Sequence, residues 1–296
     1  MKDTNKPLIK PPKTYEEQIE ILINKKLNIK NKEIAIETLK RINYYRLSGY
    51  MLHLKTNDYF IPGITFEFIC NIYNFDKKLR QLLLEKIEDI EIAFRTQIAY
   101  FFGHKYGPLG YLDSKNFDLN PKCQEQYKEI IRDLNMRLEK SKKNELFIQH
   151  HYDKYQGQFP IWVAIEVFPF GLLSKLFSIL KGEDKQQISQ DYYKQKYFYI
   201  ESWIRHLSYI RNICAHYGRI YNKKLVIKPS FPKKDKKINP PTNFIFNTFL
   251  ILKKLSINSK DWSNYILGLK NLLNENSQFI KKELIGFPED WYKILS

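Results

Sequence analysis

TFEFICNIYNFDKKLRQLLLEKIEDIEIAFRTQIAYFF, residues 65–102, is the stretch whose reading decides the fold. Ile69, Ile72, Tyr73, Leu79, Leu82, Leu83, Ile87, Ile90 and Phe94 recur largely at helical spacings and define one apolar face. Pro62-Gly63 marks a turn before it, and Thr65 can serve as N-cap. The pattern predicts a central core helix reaching Phe102, ended by Gly107, Pro108 and Gly110.

The same period continues outward in both directions. Tyr15, Ile19, Leu22, Ile23 and Leu27 follow Thr14, with Glu17 placed for a capping box, so a helix is expected over Tyr15–Leu27. A second is expected from Lys32 to about Ile42, leading into the aromatic segment 43–50. Further helices are expected over Pro121–Lys140, over Trp162–Leu180 with a break at Pro169 and Gly171, and over Tyr199–Tyr217 with Gly218 as C-cap. Within the Trp162–Leu180 stretch, Trp162, Phe168, Phe170 and Phe177 read as core. Residues 228–242 hold Pro229, Pro232, Pro240, Pro241 and the run 233–237, and read as an exposed basic linker. Two helices, Asn243–Leu255 and Lys260–Leu273, close the chain. No run of alternating strands stands out, so the fold class is all-α. The expected parts are an N-terminal helical segment (1–62), a helical core (63–227), the basic loop (228–242) and a C-terminal helical extension (243–296).

Composition narrows the functional classes. The hydrophobic fraction of 43% and the 21 Tyr and 20 Phe can build a core across 296 residues. No run of about 18 uncharged apolar residues exists, which argues against a membrane span. The lysine-bearing start, Met1–Pro12, precedes no apolar stretch of a secretory signal, so a cytoplasmic location is expected. Cys70, Cys123 and Cys214 are dispersed and form no zinc pattern, so no cofactor or metal is expected. His150-His151 with Asp153 lacks a convergent second group and reads as solvated. The net charge of +17 favours a polyanionic partner, and nucleic acid is the first candidate.

One segment concentrates chemistry: Arg211-Asn212-Ile213-Cys214-Ala215-His216. An imidazole can accept the proton of a 2′-hydroxyl or donate one to a leaving 5′-oxygen. A guanidinium stabilises charge on a phosphorane, and the Asn212 amide can orient His216 or a phosphate. The bare spacing of Arg and His is a weak signal, since Arg46 and His53 satisfy a looser form of it. On an ideal helix Asn212 and His216 share a face, whereas Arg211 and His216 diverge by roughly 140°. Either the helix distorts near its end or a twofold partner completes the site, and a homodimer is the expectation.

The six residues resemble the RNxxAH form of the motif in HEPN ribonucleases. Lys10–Ile19, Ile42–Tyr50, Asp76–Arg80, Ile87–Arg95 and Pro160–Glu166, together with the motif, resemble in order the Abi family of bacterial abortive-infection proteins, in its AbiD and AbiF branch. The resemblance implies a HEPN-like helical bundle core, dimerisation, metal-independent RNA cleavage, and phage defence or a toxin–antitoxin system, in some cases with a small antitoxin RNA. It puts Arg211, Asn212 and His216 at the catalytic centre, with Arg46, Glu88 and Arg95 as secondary candidates. Lys233, Lys234, Lys236, Lys237 and Arg219 are expected to contact RNA. The rival expectations are a non-catalytic RNA-binding effector or regulator, and a purely structural interaction module.

Overall fold

The structure is a computed structural model that describes residues 9–233, 243–256 and 259–296. The chain divides into two compact units, Met1–Lys78 with Leu272–Lys281, and Leu79–Asn271 with Lys282–Ser296.

In the first unit, local capping sets where helices begin. The Thr14 hydroxyl accepts from the Glu17 amide and the Glu17 carboxylate accepts from the Thr14 amide, so the expected capping box starts α1, Tyr15–Asn24. The helix stops short of the expected Leu27 because Lys26 takes a left-handed conformation, with φ of 65°. The Asn31 side chain caps α2, Lys32–Arg41, and that of Asn43 caps α3, Tyr44–Met51. Ile19 and Leu22 of α1, Ala35 and Leu39 of α2, and Leu47, Tyr50 and Met51 of α3 are buried. The Tyr50 hydroxyl donates to the fully buried Asp76 carboxylate at 2.6 Å, which satisfies both polar groups away from water.

A short antiparallel hairpin, β1 (Lys55–Thr56) and β2 (Tyr59–Phe60), follows α3 and is too small to alter the all-α class. Asn57 and Asp58 both have positive φ at its two-residue turn, the conformation of a type I′ hairpin. After it the Thr65 hydroxyl caps α4, Phe66–Tyr106, by accepting from the Phe68 amide at 3.1 Å. This is the expected core helix, extended by one turn to Gly107, whose φ of 81° ends it.

The second unit contains the remainder of α4, followed by α5 (Pro121–Ser141), α6 (Leu146–Tyr155), the single turn α7 (Ile161–Ala164) and α8 (Phe170–Ser178). Pro169 stands at the N-cap of α8, so the expected break in the Trp162–Leu180 stretch is present. Phe168, Phe170 and Phe177 are buried, but Trp162 is 53% exposed, contrary to its core assignment. Ile161, Ala164 and Ile165, at i, i+3 and i+4, take the inward face of this turn, so Trp162 points off it and edges an open cavity.

α9 (Gly182–Tyr193) leads into α10, Tyr197–Ala215, which packs on α8 and α9. Ile200, Trp203, Ile204, Leu207 and Ile210 of α10 are fully buried. At roughly 1.5–3 kcal/mol for each such side chain, burial rather than propensity fixes this helix. α11 (Phe246–Leu255), α12 (Ser259–Glu275) and α13 (Trp291–Leu295) complete the helices. Among the described residues the fold is all-α apart from the hairpin.

Candidate functional site

The motif occupies the last turn of α10, and its backbone is regular. The His216 amide donates to the Asn212 carbonyl at 3.0 Å, and His216 is the C-cap. Beyond it the Tyr217 amide donates to the Cys214 carbonyl and the Gly218 amide to the Ile213 carbonyl, the paired bonds of a Schellman motif. Gly218 was the expected C-cap, but Tyr217 is the residue with positive φ, at 59°. Gly218 serves close approach: a Cβ there would stand 2.9 Å from Ile213 Cγ2 and 3.1 Å from the Ile213 carbonyl oxygen. The helix therefore carries no distortion between Arg211 and His216, and helical phase sets where the two side chains leave it.

Asn212 and His216 are exposed and one turn apart. Arg211 leaves the flank of the helix toward α4, where its Nε lies 3.7 Å from Glu91 Oε2. Glu91 is bridged on its other oxygen by Arg95 Nη2 at 3.1 Å. Arg95 also donates to the Phe168 carbonyl at 2.8 Å and to the Glu166 carboxylate and carbonyl, each at 3.2 Å. Burial pushes the Glu91 carboxyl above its ordinary value; Arg211 and then Arg95 pull it back down, and Glu88 adds to the rise. Glu91 is thus a mostly buried carboxylate shared by two guanidiniums, one nearly enclosed and one, Arg211, still 37% exposed in its side chain.

Of the secondary candidates, Arg95 joins Arg211 through Glu91, and Glu88 is exposed on α4 next to that carboxylate. Arg46 is exposed on α3 in the first unit. Arg219 Nη1 donates to the carbonyls of Tyr221 and Asn222, so that nitrogen shapes the turn after the motif. Lys233 is exposed; Lys234, Lys236 and Lys237 lie outside the described residues. His151 stacks on Phe159 and both adjacent histidines contact Tyr155.

Sequence reasoning reads Glu91 only as the partner of Arg95 in an ordinary helix ion pair, and it misses Arg205 and His206. Glu91 carried the visible signal of a carboxylate one turn before Arg95, which an ordinary surface ion pair also explains. Arg205 is exposed and precedes Asn212 and His216 by 7 and 11 positions, which places it on their face of α10 by helical phase alone. His206 is fully buried, with Nδ1 at 2.6 Å from the Ile227 carbonyl and Nε2 at 2.9 Å from the Thr248 hydroxyl. Burial pushes its imidazole down to about 4.

His206 belongs to a seam that corrects the expected linker. Trp203 Nε1 donates to the Ser230 carbonyl at 2.6 Å, the Ser230 amide to Ser202 Oγ at 2.9 Å, and the Val226 amide to the Tyr209 hydroxyl at 3.4 Å. Residues 225–231 lie along α10 with Leu225, Pro229 and Phe231 buried, so the start of the supposed exposed loop is docked. Apolar residues at alternate positions, Leu225, Ile227, Pro229 and Phe231, were the available signal.

An all-α chain ending a buried helix in an exposed amide and imidazole, beside an arginine ion-paired at 3.7 Å with a partly buried carboxylate, is a helical protein with a polar site at a helix end. It belongs to the Abi-like protein family, whose model matches residues 37–222. Membership suggests a part in abortive infection, a defence against phage. The match contains the motif, Glu91 and Arg95; residues 10–19 and those after 222 lie outside it. No curated protein matches the chain, and no solved structure does. Among the described residues, no helix is long and apolar enough to cross a membrane.

Proposed function

We propose that this chain is a metal-independent endoribonuclease of the HEPN type, of the AbiD and AbiF branch, acting as a toxin in abortive infection or a toxin–antitoxin pair. The observation that carries the reading is the pairing of an exposed Asn212–His216 face with an Arg211 tethered by Glu91 at the end of one intact helix. His216 takes the proton of a 2′-hydroxyl, and the freed 2′-oxygen bonds to the adjacent phosphorus. Arg211 stabilises the negative charge on the phosphorane, and the bond to the 5′-oxygen breaks as that oxygen takes the proton from the His216 imidazolium. The products are a cyclic phosphate and a 5′-hydroxyl end. Asn212 orients the imidazole or a phosphate oxygen, and Arg205, about 16 Å along the helix from His216 at 1.5 Å per residue, holds the strand further along.

Because the helix is regular, Arg211 and His216 of one chain diverge, and two copies about a twofold axis supply a complete set. The Arg95 network is a means of holding Arg211 in one orientation, since a small misplacement of a charged group costs rate steeply.

Labelled RNA incubated with the purified protein in chelator tests the reading. Cleavage by the parent, none by His216→Ala, and a large loss with Arg211→Lys, which keeps charge but not the planar fork, are the expected results. RNA bound in a salt-sensitive manner but left whole by the parent replaces this reading with a non-catalytic RNA-binding effector.

A further inference from the structure

The first unit holds a groove of about 790 Å³, within the size range of ligand sites. Five cations line it: Lys10 and Lys13 ahead of α1, Lys25 at its end, and Lys40 and Arg41 at the end of α2. Tyr15, Tyr44 and Tyr45 line it as well, and Tyr45 is 85% exposed. Among the described residues lining it there is no carboxylate.

Ordinary helix chemistry explains part of this. Cations at the C-terminal ends of α1 and α2 complement the helix dipoles. Lys10 and Lys13 are different, because they stand before the N-terminus of α1, where the dipole disfavours positive charge. Lys13, Lys25 and Lys40 are paired with Glu17, Asp58 and Glu37, whose side chains are 47–69% exposed. Such pairs are weak and screened by salt, so a phosphate can displace the carboxylates. Nor does the dipole account for an exposed ring such as Tyr45, held on α3 by its amide donating to Asn43 Oδ1.

We propose that this groove binds single-stranded RNA, with the cations on phosphates and the tyrosines, Tyr45 foremost, stacked on bases. Five cations around a groove of about 790 Å³ are more than one small anion needs, and they suit a strand that presents several phosphates. Interleaved rings distinguish the groove from a docking face for an acidic protein, since base–aromatic stacking uses π faces that a carboxylate-rich segment does not. The preference for RNA over DNA rests on the function proposed above; the charge and stacking arguments do not.

The test uses the full chain carrying His216→Ala, so that binding is read without cleavage. Fluorescence anisotropy with a 12-nucleotide oligouridine measures affinity across a salt series. Lys10→Gln with Arg41→Gln should weaken binding and flatten the logarithmic salt dependence by about 1.4, at roughly 0.7 per lost phosphate contact on a single strand. Tyr45→Ala should weaken binding at least about fivefold, and Tyr45→Phe should retain it. Unchanged affinity in these variants, no measurable binding by the His216→Ala protein, or equal binding of an acidic peptide or of oligothymidine DNA each overturns the assignment. Loss of binding in the groove variants alongside a parent that never cuts RNA would leave the groove standing and remove the proposed nuclease.

Discussion

Acid should loosen α10 through His206. Its imidazole is held by the Ile227 carbonyl and the Thr248 hydroxyl, and burial lowers it from 6.5 to about 4. Below pH 6.5 the unfolded chain takes up a proton that the folded chain refuses until about pH 4. The stabilising difference is fully present above 6.5 and is lost as pH falls, at about 1.4 kcal/mol per unit. From 6.5 to about 4 the loss is on the order of 3 kcal/mol, of which about 2 kcal/mol falls between pH 6.5 and 5. Most carboxylates titrate below that upper window. Glu91, whose carboxyl is raised, works in the opposite sense, favouring the folded state as pH falls toward its range. Hydrogen exchange at α10 amides, corrected for intrinsic rates, reads the free energy of the openings that expose this helix. His206→Gln removes the titration and should flatten the slope between pH 7 and 5, whatever it does to stability at pH 7. Parallel slopes in parent and variant would refute the argument.

Three further outcomes follow from the same geometry. Glu91→Ala should lower single-turnover RNA cleavage by roughly 10- to 100-fold with little change in RNA affinity, because Arg211 loses its tether; unchanged turnover would make the pair merely structural. Gly218→Ala should cost about 1–3 kcal/mol, since its Cβ would press on Ile213, and a melting temperature equal to the parent's would contradict that. Coexpressed Arg211→Ala and His216→Ala chains, once light scattering shows mixed dimers, should regain part of the cleavage if the site is composite; continued inactivity would place both residues in one subunit.

Helix existence was legible because long segments such as α4 show the apolar period directly, and the start of α1 because Thr14 and Glu17 spell out its cap. The hairpin was not, because its strands are two residues each and its turn, Asn57-Asp58, lacks the usual glycine. The motif could be read as three residue types at helical spacing. What the spacing hid was the partner of Arg211, because Glu91 lies on a helix far away in sequence and only packing brings it near. The docking of 225–231 was masked by prolines and lysines that resemble a linker, while its alternate apolar residues carried the contrary signal.

The seam between α10 and residues 226–230 also has a kinetic meaning. Its hydrogen bonds join positions only 17–28 apart in the chain, whereas His206 and Thr248 are 42 apart. Shorter loops close with less entropy loss, so the helix and its returning segment should assemble ahead of α11. Substitutions at Trp203 or Ile227 should then slow folding, while Thr248→Val should mainly speed unfolding, with the buried imidazole acquiring its hydroxyl partner on the native side of the barrier.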